Sequence, residues 1–303
     1  MKNDFKNIIK LLNEKKCNFL ENVSMKKHTT FGIGGKVKLF ILPKSLEELQ
    51  LIIELLYENN IDTYFIGSGS NLLVSDNDLK CAIISLKKTF KKIEFKDQYV
   101  IVESGVMLST LVRNVNKRNI KGFESLLGVP GTVGGALIMN AGAFGSEISN
   151  MFISARTINS KGTIKKYSKN NVSFSYRNST FPKNEILIDS IFKCEVGEKE
   201  KIKLIKTSSS VERKSKQPLS YRSAGSIFKN HEKFAAGYLI DKAKLKGMQI
   251  GDAQISEKHA NFIVNKGNAK AKDVISLINI IKEKVYNKFK INLELEIKLI
   301  GIK

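Results

Sequence analysis

Residues 122–148 read GFESLLGVPGTVGGALIMNAGAFGSEI, and their composition is unlike that of the rest of the chain. No charged residue lies between Ser125 and Ser146, although 26% of all residues are charged, and six glycines fall between Gly128 and Gly145. Glycine lets a backbone pass close to a bound group and adopt positive φ. Successive N–H groups in such turns can hold phosphate oxygens. The stretch therefore predicts a cradle for a cofactor that carries phosphate.

Two other interpretations of this stretch are a membrane span and a structural hairpin. A span needs about 20 consecutive apolar residues, and here Pro130, Asn140 and the glycines interrupt the run. A purely structural glycine-rich core segment stays open, because isolated glycine patterns often match by chance. The rest of the chain has to supply the other contacts of a cofactor.

A second small-residue loop follows the apolar segment 61–66 and consists of Gly67, Ser68, Gly69, Ser70 and Asn71. Its N–H groups and hydroxyls suit a pyrophosphate. The loop is neither a Walker A sequence, since no GK[ST] follows, nor a GxGxxG fingerprint. An ordinary turn remains the alternative for these five residues.

The charge composition limits the possible partners. The net charge is +22, but only six of the 51 basic residues are arginines. Nucleic-acid interfaces use arginine forks and aromatic side chains extensively, and here the lysines are scattered. We therefore expect a lysine-rich surface without nucleic-acid binding, whose long-range field favours anionic substrates. A basic nucleic-acid-binding protein without enzymatic activity is the competing hypothesis.

Cysteines and histidines indicate neither a disulfide framework nor a metal site. Cys17, Cys81 and Cys194 are far apart and form no CxxC pair, and the three histidines are dispersed. The N-terminal residues MKNDFKNIIKLL lack the continuous apolar core of a signal peptide. We expect a cytoplasmic protein with no metal and no membrane partner.

The patterning of the elements predicts an α+β fold. Ser45 with Glu48 three residues later forms a capping-box pattern and predicts a helix over 46–59. Residues 291–301 alternate strictly and predict a strand with Leu293, Leu295, Ile297 and Leu299 on one face and Glu294, Glu296 and Lys298 on the other. A charged helical segment near 197–217 suggests a boundary. The predicted division is 1–80, 81–196 and 197–303.

Seven stretches in order resemble the UDP-N-acetylenolpyruvoylglucosamine reductase family. They are TFGIGG (30–35), GSGSNLLVSD (67–76), GFESLLGVPGTVGGALIMNAGAFGSEI (122–148), YRNSTF (176–181), SAGSIFKN (223–230), GDAQISEKHANFIVNKGNAKAKDV (251–274) and LELEIKLIG (293–301). The resemblance runs from about residue 20 to the C-terminus and is to the shorter type of the family.

The resemblance implies an FAD-binding fold of the vanillyl-alcohol oxidase type over about 29–195. Residues 1–80 and 81–196 would form its two subdomains, and 197–303 a smaller α+β substrate domain. FAD would bind non-covalently, with its pyrophosphate between the two glycine-containing loops. The cofactor contacts expected in this way are Gly67, Ser68, Gly69, Ser70, Asn71, Gly131, Thr132, Gly134, Gly135, Asn140, Ala141 and Gly142.

The resemblance also implies the reaction. NADPH reduces the flavin and leaves, and UDP-N-acetylglucosamine enolpyruvate then takes hydride from flavin N5 and a proton from Ser226 to give UDP-N-acetylmuramate. Arg177 and Glu296 would stabilise the enolate-like charge that develops beside the substrate carboxylate. Tyr176, Lys229 and Asn230 are expected to contact the substrate, and the protein is expected to be a monomer.

Local spacing alone favours other roles for the three catalytic candidates. Arg177 would be a surface arginine, Ser226 a helix cap and Glu296 a solvated residue on the polar face of its strand. For His259 we expect a structural hydrogen bond. The chain departs from the family pattern at Arg222 and His231, where proline is common, and both changes could alter loop stiffness or substrate affinity.

A different flavin oxidoreductase on the same fold, which passes electrons to oxygen, is the second competing hypothesis. The combination of Ser226, Arg177 and Glu296 argues against it. No histidine or cysteine is in an obvious position for covalent attachment of a flavin.

Overall fold

The computed structural model describes residues 5–302. Its α-helices are α1 Phe5–Glu14, α2 Leu46–Glu58, α3 Leu108–Asn116, α4 Val133–Ile138, α5 Lys199–Lys216, α6 Ala236–Lys242 and α7 Ala271–Phe289. Within the described residues, none of these helices has the length and apolar content needed to cross a lipid bilayer.

The strands are short and numerous. They are β1 Phe19–Ser24, β2 Lys36–Ile41, β3 Thr63–Ile66, β4 Leu72–Val74, β5 Leu79–Ser85, β6 Ile93–Lys96, β7 Tyr99–Glu103, β8 Gly142–Ala143, β9 Ser146–Glu147, β10 Phe152–Ile158, β11 Ile164–Ser168, β12 Phe174–Ser175, β13 Asn178–Ser179, β14 Ile186–Lys193, β15 Arg222–Ser226, β16 Gln249–Ile250, β17 Ala253–Ile255, β18 Phe262–Asn265 and β19 Lys298–Ile300.

The chain forms two compact units. Among the described residues, the first comprises 5–22, 38–68 and 80–211, and the second comprises 23–37, 69–79 and 212–302. The predicted three-part division, 1–80, 81–196 and 197–303, places the segments 23–37 and 69–79 with the N-terminal part, whereas these two segments contribute to the second unit. The loop 67–71 is also divided, because the border falls after Ser68.

Most residues of a four-stranded sheet, in the order β1-β2-β5-β3, belong to the first unit. Helices α1 and α2 contribute Ile8, Leu12, Leu49 and Ile52 to its core, all of them fully buried. Burial of such side chains contributes about 1.5–3 kcal/mol each. This layer places the end of β3, and therefore Gly67, at a fixed position.

The predicted helix over 46–59 is observed as α2, but only half of the predicted capping box forms. The Ser45 hydroxyl accepts a hydrogen bond from the Glu48 N–H at 3.2 Å. The Glu48 carboxylate does not return to Ser45; it accepts from the N–H groups of Lys44 and Asn18, both at 2.7 Å. Glu48 thus ties the start of α2 to the segment that precedes β1.

A five-stranded sheet in the order β11-β10-β14-β7-β6 completes the first unit. Helix α3 and the segment 120–148 pack on it through a buried cluster that includes Val102, Leu111, Phe123 and Phe152. The uncharged stretch 122–148 is therefore a core segment along part of its length. It contains the short helix α4 and the hairpin β8–β9.

The second unit is built on a four-stranded sheet in the order β15-β18-β17-β16, with α7 as its longest helix. Val274, Leu277 and Ile278 of α7 pack in one buried cluster with Phe31 and Phe228. The residues 23–37 belong to this unit because Phe31 and Ile33, both fully buried, lie in that same core.

The predicted strand over 291–301 is shorter than expected. Only Lys298–Ile300 forms a strand, β19, which runs parallel to β4. Upstream of it the chain pairs with residues 227–229 instead: the Glu296 N–H donates to the Ile227 carbonyl at 2.8 Å, and Leu295 forms an isolated bridge with Phe228. Apolar and polar residues do alternate over 291–301, but the first part of the segment pairs with residues 227–229 and the last part with β4.

Helix α7 is capped by a side chain from outside the helix. The Asp76 carboxylate accepts from the N–H groups of Ala271 and Lys272, at 2.9 and 3.2 Å. Asp76→Ala is therefore expected to lower the free energy of unfolding by about 1 kcal/mol, measured by urea denaturation. Asp76→Asn, which keeps one acceptor oxygen, should lose less. Equal stability of the alanine variant and the parent protein would contradict this assignment.

Candidate cofactor and substrate sites

The two small-residue loops meet inside the first unit at Gly67 and Thr132. A Cβ atom on Gly67 would lie 2.4 Å from the Thr132 hydroxyl oxygen, which is far inside van der Waals contact. The Gly67 carbonyl also accepts a hydrogen bond from the Ser85 hydroxyl at 3.5 Å. Residue 67 must be glycine for this approach, because a side chain would displace Thr132.

Residues 131–134 are fixed by pairing with the segment that follows β7. The Leu108 N–H donates to the Gly131 carbonyl at 3.0 Å, and the Gly134 N–H donates to the Ser104 carbonyl at 3.0 Å. A Cβ on Gly134 would lie 2.7 Å from the Ser104 Cβ. Gly134 is therefore a packing glycine. Gly135, by contrast, is exposed, and the nearest atom to a Cβ there would be the Thr132 hydroxyl at 3.6 Å.

Asn140 connects the end of the α4 segment to two hairpins. Its side chain is fully buried and its φ is +42°. The amide nitrogen donates to the Glu147 carboxylate at 2.7 Å and to the Ser175 carbonyl at 3.1 Å. The hairpin β8–β9 turns through Phe144 and Gly145, both with positive φ. Asn140 thus holds the β8–β9 and β12–β13 hairpins together.

Arg177 lies at the turn between β12 and β13 and has a left-handed backbone, with φ +54°. Its guanidinium donates to the Gly142 carbonyl at 3.0 Å and lies over the Tyr176 ring, 4.8 Å from the ring centroid. Left-handed backbone in a residue other than glycine costs of order 1–3 kcal/mol and is concentrated at functional sites. Three of the predicted site residues, Tyr176, Arg177 and Gly142, therefore come together here.

In the second unit, the predicted cofactor residue Gly69 lies against residues 28–29, and hydrogen bonds join Asn71 to the C-terminal segment. Gly69 has φ +69° and packs directly on the His28 carbonyl. The Asn71 amide donates to the Glu296 carbonyl at 3.0 Å, and the Lys298 N–H donates to the Asn71 carbonyl at 2.9 Å. This part of the loop is therefore attached to the backbone of Glu296.

Ser226 ends strand β15 directly after a bulge. Ser223 pairs with Val264 and Ser226 with Phe262, so the register shifts between them, and Gly225 at the bulge has φ +79°. Bulges re-aim side chains and are frequent next to active sites. The next residue, Ile227, accepts the Glu296 N–H. Ser226 and Glu296 are therefore close neighbours through their backbones.

Ser226 lines a cavity of about 350 Å³ in the second unit. The cavity wall is rich in cationic and hydrogen-bonding groups; besides Ser226 its lining residues are Lys216, Asn230, Ala235, Gly237, Tyr238, Asp241, Lys246, Lys258, His259, Ala260 and Asn261. Three lysines against a single carboxylate favour an anionic ligand. Each of the three lysines has a protein partner: Lys216 forms an ion pair with Glu212 at 2.6 Å, Lys246 one with Asp241 at 3.0 Å, and Lys258 donates to the Lys214 carbonyl at 2.7 Å.

His259 has both the expected structural hydrogen bond and a place in the cavity wall. Its Nδ1 accepts from the Asn261 N–H at 3.2 Å, and its ring packs edge-on against Phe262. A neutral ring that accepts at Nδ1 carries its proton on Nε2. Burial lowers the pKa of His259, and the nearby charges of Lys246 and Lys216 lower it further.

The lowered pKa of His259 predicts acid sensitivity of folding. Below about pH 6.5 the unfolded chain takes up a proton that the folded ring does not, so the free energy of unfolding should fall as pH is lowered. His259→Gln should reduce this fall in urea denaturation between about pH 7.5 and 5.5. His231→Gln, at an exposed histidine, is the matched control. A fall of the same size in the His259 variant would contradict the assignment.

Comparison with known proteins places this geometry in a family. Residues 217–300 match the family profile described as UDP-N-acetylenolpyruvoylglucosamine reductase, C-terminal domain, and residues 37–168 match an FAD binding domain. The UDP-N-acetylenolpyruvoylglucosamine reductase of Alkaliphilus oremlandii is 40% identical over 91% of this chain and 91% of its own. The chain belongs to the UDP-N-acetylenolpyruvoylglucosamine reductase family.

Further relatives of the same name support this membership. The Clostridium tetani reductase is 40% identical over 94% of this chain and 92% of its own length. A solved structure of the Thermus caldophilus reductase superimposes with a TM-score of 0.80 at 32% identity, and the match covers 94% of this chain and 99% of that one. The predicted α+β fold with an FAD-binding domain of the vanillyl-alcohol oxidase type is confirmed. The protein is an FAD-dependent oxidoreductase of this family.

The first unit of the reductase contains buried polar atoms without partners, as expected of a site that binds FAD. Within residues 5–302, four buried side-chain oxygens that flank the two glycine-containing stretches have no hydrogen-bond partner: Ser68 Oγ, Ser104 Oγ, Ser125 Oγ and Asn140 Oδ1. Buried polar atoms are normally satisfied, so a set without partners indicates a missing ligand, water or ion. Gly135 leaves open space in the same stretch, since the nearest atom to a Cβ there would be 3.6 Å away.

Not every predicted substrate contact lines the cavity of this reductase. Asn230 does, and its side-chain oxygen also accepts from the Ala236 N–H at 3.0 Å. Lys229 is not part of the wall; its ammonium pairs with the Glu294 carboxylate at 3.2 Å. Tyr176 lies in the first unit, on the Arg177 hairpin. All three contacts stay predictions.

Sequence reasoning missed most of the cationic wall. Lys216, Lys246 and Lys258 are three of many scattered lysines and have no distinctive local pattern. Tyr238 and Asp241 lie on α6, where an i, i+3 spacing could have placed them on one face, but helical periodicity does not identify which face lines a cavity. Only the tertiary fold brings these residues to Ser226.

Proposed function

We propose that the protein catalyses the NADPH-dependent reduction of UDP-N-acetylglucosamine enolpyruvate to UDP-N-acetylmuramate in peptidoglycan precursor synthesis. One observation carries the proposal: in a chain of this reductase family, Ser226 lines a cavity with three lysines, and Glu296 is hydrogen-bonded to the residue after Ser226. A proton donor, a candidate charge stabiliser and an anion-binding wall then belong to the same unit.

FAD, held by the two glycine-containing loops, would supply the hydride chemistry between NADPH and the enolpyruvyl double bond. Addition of hydride leaves negative charge next to the substrate carboxylate. Preorganised donors that meet such charge lower the barrier most. The Arg177 guanidinium is a planar fork suited to a carboxylate, and its backbone is held in one conformation by the β12–β13 turn.

Ser226 is assigned the proton transfer to the neighbouring carbon. A serine hydroxyl is a weak acid, so a positioned group or water must replace its proton after each turnover. The bulge at Gly225 supports this role, because it turns the Ser226 side chain out of the regular pleat and into the cavity wall. The neighbouring backbone is held by Glu296 and by pairing with Phe262.

The lysines of the cavity are assigned to the diphosphate of the substrate. Lys216, Lys246 and Lys258 line the same cavity as His259 and Tyr238. An ammonium is a compact point charge that can bind phosphate in several orientations. Asn230 and the Nε2–H of His259 supply hydrogen bonds in the same wall. Together these groups match a nucleotide sugar better than an uncharged substrate.

Glu296→Gln is expected to slow product formation without release of FAD. The substitution removes the carboxyl group but keeps the backbone bonds to Ile227 and Asn71. Loss of one group that stabilises developing charge typically costs about 10²-fold in rate. The measurement is the rate of flavin reoxidation by the enolpyruvyl substrate after reduction by NADPH. Loss of the flavin spectrum on purification would instead indicate a folding defect.

The function is tested by NADPH oxidation with and without UDP-N-acetylglucosamine enolpyruvate. We expect oxidation to depend on this substrate and to yield UDP-N-acetylmuramate in equal amount. Rapid oxidation in its absence, with oxygen as acceptor, would favour the competing oxidase hypothesis. A colourless protein that binds RNA or DNA with a steep salt dependence would favour the nucleic-acid hypothesis. A monomeric state in the cytoplasm remains a prediction.

A further inference from the structure

The side chain of Arg222, at the start of β15, binds the backbone of a loop that is distant in sequence. Its guanidinium donates to the carbonyl oxygens of Lys26 and Thr29 at 2.9 and 3.0 Å, and more weakly to that of Thr30 at 3.4 Å. All three acceptors belong to residues 26–32, which we call the 26–32 loop. Charge-assisted donors to backbone oxygens are stronger than neutral ones. Arg222 therefore attaches this loop to the strand that ends at Ser226.

The 26–32 loop has a backbone that makes room for this side chain. Gly32 has φ +73°, and a Cβ there would lie 2.5 Å from the Arg222 Cζ. The left-handed backbone favours glycine at position 32, and an added Cβ would displace the Arg222 guanidinium. The arrangement is therefore a close fit between two positions 190 residues apart in sequence, and a loose surface arginine would need no such fit.

Hydrogen bonds connect the 26–32 loop in a closed ring with the segments that contain the proposed catalytic residues Ser226 and Glu296. The Thr30 N–H donates to the Gly69 carbonyl at 3.1 Å. From Gly69 the chain leads to Asn71, whose amide donates to the Glu296 carbonyl at 3.0 Å. The Glu296 N–H then donates to the Ile227 carbonyl at 2.8 Å, which returns the ring to β15.

The ring closes between Thr30 and Ser223, next to Arg222. The Thr30 hydroxyl donates to the Ser223 carbonyl at 2.8 Å, and Arg222 donates to the Thr29 and Thr30 carbonyls next to that contact. The neighbouring Phe31 carbonyl accepts from the buried Asn265 amide at 2.9 Å. All of these residues belong to the second unit. The ring therefore connects the predicted cofactor residues Gly69 and Asn71 with Ser226 and Glu296.

We propose that Arg222 is a positioning residue, which braces this ring beside the Thr30–Ser223 contact and thereby fixes Ser226 and Glu296 relative to the Gly69–Asn71 part of the FAD loop. The proposal rests on the proposed function, because the ring matters for catalysis only if these residues act on flavin and substrate. A guanidinium can reach several carbonyls at once through its fork, whereas the ammonium of lysine is a point charge. Lysine at position 222 should therefore replace arginine only in part.

The test compares Arg222→Ala and Arg222→Lys with the parent protein in two measurements. Titration of the apoprotein with FAD gives the Kd of the cofactor, and rapid mixing of the reduced holoenzyme with UDP-N-acetylglucosamine enolpyruvate gives the rate of flavin reoxidation. For Arg222→Ala we expect the Kd for FAD to rise about tenfold. With FAD saturating, reoxidation should slow about tenfold or more, because small displacements of reacting groups are costly. Arg222→Lys should be intermediate in both.

Controls separate positioning from folding. Arg118→Ala removes another exposed arginine, whose guanidinium donates to the nearby Asn114 carbonyl and stacks on Phe95, and it should change neither quantity. A Gly32→Ala substitution, made in the parent and in Arg222→Ala, should weaken FAD binding less in the second background. The backbone strain at position 32 is the same in both and cancels.

Three results decide the proposal. Parent-like FAD binding and reoxidation in Arg222→Ala would overturn it. A lowered thermal midpoint with neither quantity changed would also overturn it, since it would show a structural role only. If the parent holoenzyme itself fails to be reoxidised by the substrate, the proposed function fails, and the FAD titration alone then decides whether Arg222 positions the cofactor loop.

Discussion

Replacing Ser226 with alanine is expected to slow product formation by about 10²-fold or more, the usual effect of losing a general acid. Reduction of FAD by NADPH should remain nearly intact, because that half-reaction needs no proton from Ser226. Alanine fits the end of β15, since the Ser226 backbone keeps its pairing with Phe262. The measurement is stopped-flow absorbance of the flavin in the two half-reactions, recorded separately.

A second serine gives the matched control for this substitution. Ser220 is exposed just before β15 and is not part of the cavity wall, so Ser220→Ala should leave both half-reactions unchanged. If both half-reactions of Ser226→Ala fall together, Ser226 has a structural role and the proton must come from another group. Only a selective loss of the second half-reaction supports the assignment.

Gly67→Ala is expected to have the largest effect on cofactor retention. The new Cβ would lie 2.4 Å from the Thr132 hydroxyl, so one of the two loops has to move. Overpacking of this kind costs about 1–3 kcal/mol, and we expect the Kd for FAD to rise about tenfold or more. The measurement is titration of the apoprotein with FAD, together with the thermal midpoint of the FAD-free protein.

The clash at Gly67 also predicts a rescue. Thr132→Ala removes the hydroxyl and the methyl group that the new Cβ would meet, and it costs only the weak cap to the Gly135 N–H at 3.4 Å. The double variant Gly67→Ala, Thr132→Ala should therefore bind FAD better than Gly67→Ala alone, and the two effects should not add. If the double variant binds FAD more weakly than either single variant, the loops do not act through this contact.

The sequence predicted the elements whose causes are local. Ser45 caps α2 because a hydroxyl one residue before a helix meets free N–H groups, and this needs no tertiary contact. Glu48 could not be assigned from sequence, because its partner Asn18 lies 30 residues away. The strand over 291–301 was too long for the same reason, since the alternation of residues does not show where a segment changes its partner.

The same distinction between local patterns and tertiary contacts applies to the candidate site. The family resemblance assigned Ser226 a role in proton transfer, which stays a prediction, but it did not show which glycines of 122–148 contact the cofactor and which only permit turns. The structure makes Gly134 a packing residue on Ser104 and leaves Gly135 exposed. The cavity lysines Lys216 and Lys246 became visible only through the fold, because in a chain with net charge +22 no single lysine stands out.

Arg222 departs from the family pattern, and the structure shows the contacts that this departure makes. Its sequence position suggested only a change of loop stiffness or substrate affinity. Its three backbone acceptors and its fit against Gly32 indicate a specific role in holding the 26–32 loop. The inference required atomic contacts between residues that no local rule connects.

The most direct test of the account is the flavin spectrum of the purified protein during one anaerobic turnover. The account predicts a yellow protein whose flavin absorbance is bleached by NADPH and restored on addition of UDP-N-acetylglucosamine enolpyruvate, with one UDP-N-acetylmuramate formed per flavin. A protein without flavin, or a reduced flavin that this substrate does not reoxidise, would contradict it.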